Sequence, residues 1–374
     1  LGSRCSWGKG RCRFGLMLST ATSAMLQDCD FGAMLLPFLR LYDKRVLRVT
    51  GRVVSAVVDM RLRRQHSLMY VCGGYDRADV DRVSLQSMEV LDIQSGSWEH
   101  VPPMSGYRSS AASAVLGHHL YVCGGILRPA VPAGRQPGGW ISNNLSSVER
   151  FDFWESRWES MPDMHQPRAG AAAVSVAGVL AVCGCLNPVR SSVEIFCPST
   201  CCWEMAPPML RGRAWPVAVN FGGQLCVCGG FDDQPAGREN LASVEVLSFG
   251  PGAAHWASAP EMSERRHRAA GAVIEDRLYV CGGEGLGGFL RSAEVLTHGA
   301  SAWERLPDMA EARFAASAAV VAGRLYVMGG FWASGPRDRL QGSSTVELFD
   351  PEQGCWGRTD VLWTERHAET CVAV

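Results

Sequence analysis

Short apolar runs of one design recur along the chain. Leu120-Tyr121-Val122-Cys123 ends in Gly124-Gly125, and near-copies stand at Met69 to Gly74, Leu225 to Gly230, Leu278 to Gly283 and Leu325 to Gly330. A sixth run, Leu180 to Cys185, keeps the apolar residues but replaces the second glycine by cysteine. Such a run, bounded by glycine, predicts a short strand buried on both faces. Before it lies a stretch of small and β-branched residues, such as Ala111 to Val115 or Ala315 to Val321. After it comes a segment of variable length, then an alternating strand with a recurring glutamate: Glu89, Glu149, Glu194, Glu245, Glu294 and Glu347. A tryptophan closes each unit: Trp98, Trp158, Trp203, Trp256, Trp303 and Trp356. Self-similarity of this kind marks a repeat architecture.

The unit has a rigid half and an elastic half. From each tryptophan to the next unit's first glycine the distance is always 26 residues, from Trp98 to Gly124 through Trp303 to Gly329. From the first glycine forward to the tryptophan it ranges from 19 (Gly184 to Trp203) to 34 (Gly124 to Trp158). Within the rigid half a proline follows the tryptophan by four positions in five units (Pro102, Pro162, Pro207, Pro260, Pro307). An arginine follows it by ten in all six: Arg108, Arg168, Arg213, Arg266, Arg313 and Arg366. Packing holds the first half to one length, and a loop absorbs the variation in the second.

Four short strands per unit with turn signals between them predict an all-β fold. No helix-period segment interrupts the array, which disfavours a parallel sheet with crossover helices. Four-stranded units arranged radially make a six-bladed β-propeller. The small-residue strands suit the crowded axis, and the tryptophans suit the interface between blades. Counting back from Gly73 gives no tryptophan, so blade one lacks an inner strand of its own. Arg366 to Val374 is in register to supply it and to remove the free edge. Val53 to Val58 is the competing candidate. The expected organisation is a propeller over residues 65–374 and an N-terminal extension over residues 1–64.

Gly-Gly after a Leu-Tyr-Val strand, the Val-Glu strand, Trp, Pro-x-Met and Arg, recurring in phase, resemble the Kelch repeat. Six copies with C-terminal strand closure resemble the propeller of the Kelch-like (BTB-BACK-Kelch) proteins. The resemblance implies that the propeller is a substrate receptor, with upstream BTB and BACK domains that dimerise and recruit a cullin-based ubiquitin ligase. Residues 1–64 hold no recognisable BTB domain and read as a remnant of a helical BACK-like domain or as a disordered tail. A cullin partnership therefore depends on a BTB domain encoded upstream.

The formal net charge of −1 is uneven. Residues 1–64 hold 12 Lys/Arg against 4 Asp/Glu, and the rest holds 24 against 33. An acidic propeller argues against a nucleic-acid footprint. No apolar run reaches the roughly 18 residues of a membrane-spanning helix. The first 27 residues contain no acid and have some features of a leader, but cysteine usage opposes secretion. Cys72, Cys123, Cys183, Cys228 and Cys281 occupy one phase of the repeat, where the sixth unit has Met328. Equivalent positions on different blades are too far apart to bridge, so buried free thiols in a reducing compartment, cytoplasm or nucleus, are expected. Cys197, Cys201 and Cys202 cluster without a second pair that would complete a zinc site.

Variable loops on a rigid scaffold are where recognition concentrates. The resemblance implies a ligand bowl lined by the in-phase arginines Arg108, Arg168, Arg213, Arg266, Arg313 and Arg366. It adds the residues after Gly-Gly: Tyr75, Ile126, Leu186, Phe231, Glu284 and Phe331. Arg265, His267, Arg268 and His367 add charge nearby. Guanidinium groups grip carboxylates or phosphates and aromatics supply anchor area, so an acidic or phosphorylated peptide segment is the expected partner. The alternative is that six arginines in phase with six glutamates are scaffold pairs between blades. Trp140 and Trp332 fall in loops and either anchor a partner or pack on their own blades. No cofactor or metal is expected. The chain has no Gly-x-Ser-x-Gly, no His-Glu-x-x-His and no acid pair with an evident proton role, which favours a binding module, or a stand-alone Kelch scaffold, over a propeller enzyme.

Overall fold

Each Leu-Tyr-Val-Cys run forms the second strand of a four-stranded antiparallel sheet. The computed structural model describes residues 68–74, 84–93, 95–127, 144–186, 190–234, 237–249, 254–332, 341–343, 345–359 and 371–373. In the second sheet the order is Ala112–Leu116, His119–Cys123, Val148–Asp152 and Arg157–Met161. The second strand is buried along most of its length, with Leu120, Tyr121, Val122 and Cys123 at most 2% exposed. Exposure rises toward the rim, where Arg157 and Ser160 of Arg157–Met161 are exposed and the rest half-buried. Continuous apolar sequence thus marks a strand covered on both faces.

Six such sheets are present. Their inner strands touch in a closed circuit: Ala112–Leu116, Ala172–Val176, Val217–Phe221, Ala270–Ile274, Ser317–Val321, Cys371–Ala373, and back to Ala112–Leu116. The fold is a six-bladed β-propeller, as the repeat count predicts. Blade one is completed from the other end of the chain, by antiparallel pairing of Met69 with Ala373, Tyr70 with Val372 and Val71 with Cys371. The expected closure is therefore present. The competing Val53 to Val58, and the whole N-terminal extension, lie outside the described residues.

The core is divided between blade interfaces. One cluster joins Tyr70, Cys72 and Met88 of blade one to Leu120, Val122 and Phe151 of blade two, with Trp158 against it. The tryptophan also ties the rims together. Trp158 Nε1 donates to the carbonyl of Pro102, which ends the outer strand of the preceding blade, at 2.7 Å. The same bond runs from Trp203 to Pro162, Trp256 to Pro207, Trp303 to Pro260 and Trp356 to Pro307, each at 2.8 Å. This explains why Trp and the proline four residues later recur together: each proline carbonyl receives the next blade's indole.

The repeated cysteines are free thiols inside these clusters. Burial pushes Cys72, Cys123, Cys183 and Cys281 up to about 12, so they stay protonated and inert.

The first glycine of each Gly-Gly pair is imposed by a close approach. Gly282 has a φ of +63°, and a Cβ there would lie 2.5 Å from the carbonyl oxygen of Arg313 in the next blade. Gly96 has a similar φ of +68° but stands in a rim turn with nothing within 4 Å. Gly96→Ala is expected to cost about 1 kcal/mol, the ordinary price of a left-handed residue. Gly282→Ala, which must also displace backbone, is expected to cost more than about 3 kcal/mol. Urea unfolding of the two variants checks this, and equal losses would mean that the interblade contact is soft.

Candidate partner-binding mouth

The in-phase arginines are placed by the segment that leads from one blade's outer strand to the next blade's inner strand. Five of them are described, and all are buried: Arg108 at 3%, Arg266 at 1%, and Arg168, Arg213 and Arg313 at 0% exposure. All five N–H donors of Arg213 are used. Its Nε and Nη2 both donate to Glu245 Oε1, at 3.0 and 2.6 Å, and Nη2 also donates to Ser243 Oγ. Its Nη1 donates to the carbonyls of Gly229 and Ser243. Glu245 in turn accepts the backbone N–H groups of Leu210 and Arg211 in the turn before the arginine. Arg108–Glu149, Arg168–Glu194, Arg266–Glu294 and Arg313–Glu347 repeat the pairing. Burial alone would raise the Glu149 carboxyl, but hydrogen bonds from Ser105 and Arg108 overrule it and hold the group below its usual range.

The arginine carbonyl completes the knot. It accepts the N–H of the second residue of the preceding blade's Gly-Gly pair, for example Gly125 to Arg168 at 2.7 Å and Gly283 to Arg313 at 2.7 Å. Blade three, with Cys185 at that position, keeps the bond to Arg213 at 3.1 Å. Of the two readings left open by the repeat pattern, the structure places these five arginines in the scaffold. At these positions each guanidinium is buried against the glutamate of its blade rather than presented to solvent. Arg366 lies outside the described residues.

The mouth is built one and two residues further on. The first residue after each arginine pairs with the residue after Gly-Gly: Ser109 with Ile126, Ala214 with Phe231, His267 with Glu284, and Phe314 with Phe331. The second takes a left-handed backbone: Ser110, Gly170, Trp215, Arg268 and Ala315, with φ between +49° and +64°. These five form a collar. Gly170 N–H donates to Ser110 O, Trp215 to Gly170, Arg268 to Trp215 and Ala315 to Arg268, at 2.7 to 3.0 Å. Around the axis the collar encloses a cavity of about 90 Å³, lined by these residues and the one after each. Among the described lining residues Arg268 alone is charged.

The two halves of the mouth differ. Blades two, three and six line the cavity with Ser110-Ala111, Gly170-Ala171 and Ala315-Ala316, whereas blades four and five contribute Trp215-Pro216 and Arg268-Ala269, with aromatic rings packed behind them. The Arg268 guanidinium carbon lies 3.9 Å from the Trp215 ring centroid and 5.7 Å from that of Phe314. Phe314 stacks on Phe289 at 4.4 Å and touches Phe331 at 5.4 Å. His267 lies against Phe231 and Trp215. Burial, then the neighbouring Arg268, pushes His267 down to about 4. Burial raises the Glu284 carboxyl, whose oxygen is 3.6 Å from His267 Nε2. Outside this cluster, Arg211 and Arg265 both pair with Glu239.

Of the residues expected at the site, Phe231, His267 and Phe331 stand among these rings. Phe331–Trp332 pairs with Gln341–Gly342 in a short hairpin, and the Trp332 side chain, Tyr75 and Trp140 lie outside the described residues. Trp215 and Phe314 were missed by sequence reasoning. The signal was available, because both follow an in-phase arginine within two positions.

Two measurements separate scaffold from site. Arg168→Met should leave the buried Glu194 without its guanidinium, with only His165 against it, and cost about 3–5 kcal/mol. Arg168→Met with Glu194→Leu should recover part of that loss, as read by urea unfolding. His267 has a lowered folded value, so the unfolded chain binds more protons between about 6.5 and 4. Stability is therefore full above pH 6.5 and falls as pH drops through that window, by up to about 3 kcal/mol. His267→Phe should flatten this slope, and a slope unchanged by the substitution would remove His267 as its origin.

Comparison with known proteins agrees with this geometry. The Kelch motif family model matches residues 66–105, 138–165, 265–310 and 312–356. Over 112 residues the chain is 31% identical to Kelch-like protein 36 of Bos taurus, covering 29% of this chain and 17% of that protein. Over 117 residues it is 30% identical to Kelch domain-containing protein 8B of Homo sapiens, covering 30% of each. Alpha-scruin of Limulus polyphemus is 29% identical over 128 residues, 33% of this chain and 13% of that protein. The matches thus span less than a third of these relatives' lengths. The solved structure of YjhT superposes with a TM-score of 0.62 at 17% identity, over 78% of this chain and 97% of that one, which bears on the fold alone. Kelch motifs thus recur along a six-bladed propeller whose first blade is closed by the C-terminal strand.

Proposed function

We propose that this propeller is a protein-recognition module that takes an acidic or phosphorylated peptide segment at its mouth. The observation that carries this reading is Arg268, the charged member of the described cavity lining, stacked on Trp215. A guanidinium beside an indole joins a cation–π contact to the planar fork that recognises a carboxylate or phosphate. The half-buried Phe289, backed by the buried Phe314 and Phe331, supplies apolar area for the flanking residues. Recognition thus falls to the residues one and two positions beyond the scaffold arginines. By its resemblance to Kelch-like proteins, the module acts in the cytoplasm as the substrate-recognition part of a cullin-RING ubiquitin ligase and performs no catalysis itself.

The chain and two variants, Arg268→Glu at the mouth and Arg305→Glu on the rim, are compared for binding to a library of phosphorylated and Asp/Glu-rich peptides. Losing a charge-assisted contact is expected to weaken the best peptides about 10- to 100-fold in Arg268→Glu, with Arg305→Glu unchanged. Equal affinities would reject the mouth. Affinity purification from cells with the same three proteins reads the assembly. Cullin with all three supports the ligase role, whereas mouth-dependent partners without cullin indicate a stand-alone scaffold.

A further inference from the structure

On the face of the propeller opposite the mouth, blade two carries a group that its repeat phase does not require. The hairpin between its inner and second strands ends in His118-His119, and its third strand ends in Asp152. His119 and Asp152 are register partners across the sheet. One ligand atom from each of the three residues falls within a 4.8 Å circle. His119 Nε2 is 3.3 Å from Asp152 Oδ2, and His118 Nε2 is 3.9 Å from the same oxygen. The two imidazole rings are tilted by 37°, with centroids 4.0 Å apart.

The other blades act as an internal control. The aspartate belongs to the scaffold: Asp152 Oδ1 accepts the backbone N–H groups of Trp154 and Glu155, as Asp350 Oδ1 does from Glu352 and Gln353 in blade six. In blade six the strand partner of that aspartate's position is Arg324, whose guanidinium pairs with Asp350 Oδ2 at 3.1 Å. One side chain across the strand is thus enough to satisfy the free oxygen. In blade two an imidazole takes that place, and a second imidazole stands at the turn position that holds Gly178, Gly223 and Gly323 in blades three, four and six. The His118 side chain is 54% exposed. Two imidazoles and one anchored carboxylate oxygen are a zinc donor set. In a tetrahedral site with bonds of about 2.0–2.1 Å, ligand atoms lie roughly 3.4 Å apart, close to the His119–Asp152 spacing. A rotation of the half-exposed His118 closes its longer gap. Nearby Arg150 and Arg157 both pair with Glu159, which offsets their repulsion of a cation.

We infer that His118, His119 and Asp152 form a three-ligand site for a zinc-type divalent cation, with the fourth position open to water or to a donor from a partner. The site's carboxylate is oriented beforehand by the two backbone donors, so binding needs only the ordering of one histidine on a turn.

The untagged, metal-free full chain is titrated with Co2+ as a spectroscopic probe and then with Zn2+. One equivalent of cobalt should give the visible bands of tetrahedral nitrogen–oxygen coordination, and zinc should abolish them. His118→Ala and Asp152→Asn should each weaken cobalt binding at least about tenfold, the lower range even for residues behind the ligands. The thermal transition of metal-free His118→Ala should match that of the parent, which separates loss of the site from loss of the fold. Absence of the bands, or bands equally strong in His118→Ala, would overturn the assignment. A Cys197→Ser/Cys202→Ser variant should bind cobalt like the parent, and loss of the bands in that variant would move the metal to the cysteine hairpin and reject the histidine site.

Discussion

A buried arginine whose guanidinium feeds its own blade and whose carbonyl caps the preceding one holds the array together. Arg213 spends all five donors on Glu245, Ser243 and Gly229, while its carbonyl accepts from Cys185 in the preceding blade. Desolvating such a charge is costly, and only a nearly complete set of short bonds offsets it. Lysine could not replace it, because a point charge with three donors cannot reach a carboxylate and two carbonyls in separate directions. The Gly-Gly pair follows from the same contact, since a side chain on its first residue would occupy the space of the arginine carbonyl.

This economy determines where recognition can occur. The described arginines and their glutamates are buried against one another and not presented to a partner. The collar of left-handed residues beyond them uses its N–H groups on the adjacent blade, and its residues line the cavity. They diverge accordingly, from Gly170 to Trp215 to Arg268. The Trp215 and Arg268 lining from blades four and five and the small-residue lining from blades two, three and six arise from choices at two positions per repeat, made on a backbone that does not change.

The opposite face obeys the same division. The strand-end aspartate is scaffold, held by the turn that follows it in blades two and six alike. What faces its free oxygen is open to variation: an arginine in blade six, and two histidines in blade two. In each case the repeat supplies an anchored acceptor, and the chemistry depends on the residue set against it.

The repeat count, the blade boundaries, the burial of the cysteines and closure by the C-terminal strand were legible in the sequence. They follow from periodicity, and periodicity survives without knowledge of distance. Phase alone, however, could not divide the arginines between scaffold and site. Arg266 and Arg268 lie two residues apart in one loop, and one is dry while the other lines the mouth. Nor could it bring Trp215, Arg268 and Phe314 together, since they come from three repeats and meet only because the ring sets blades four, five and six side by side. His118, His119 and Asp152 are likewise dispersed in sequence and adjacent only through strand pairing. Local residue patterns determined which elements form and how many there are, because short-range packing and turn geometry suffice for that. The tertiary structure alone decided which charges are neutralised and which are presented, because that depends on what the closed ring places opposite each side chain.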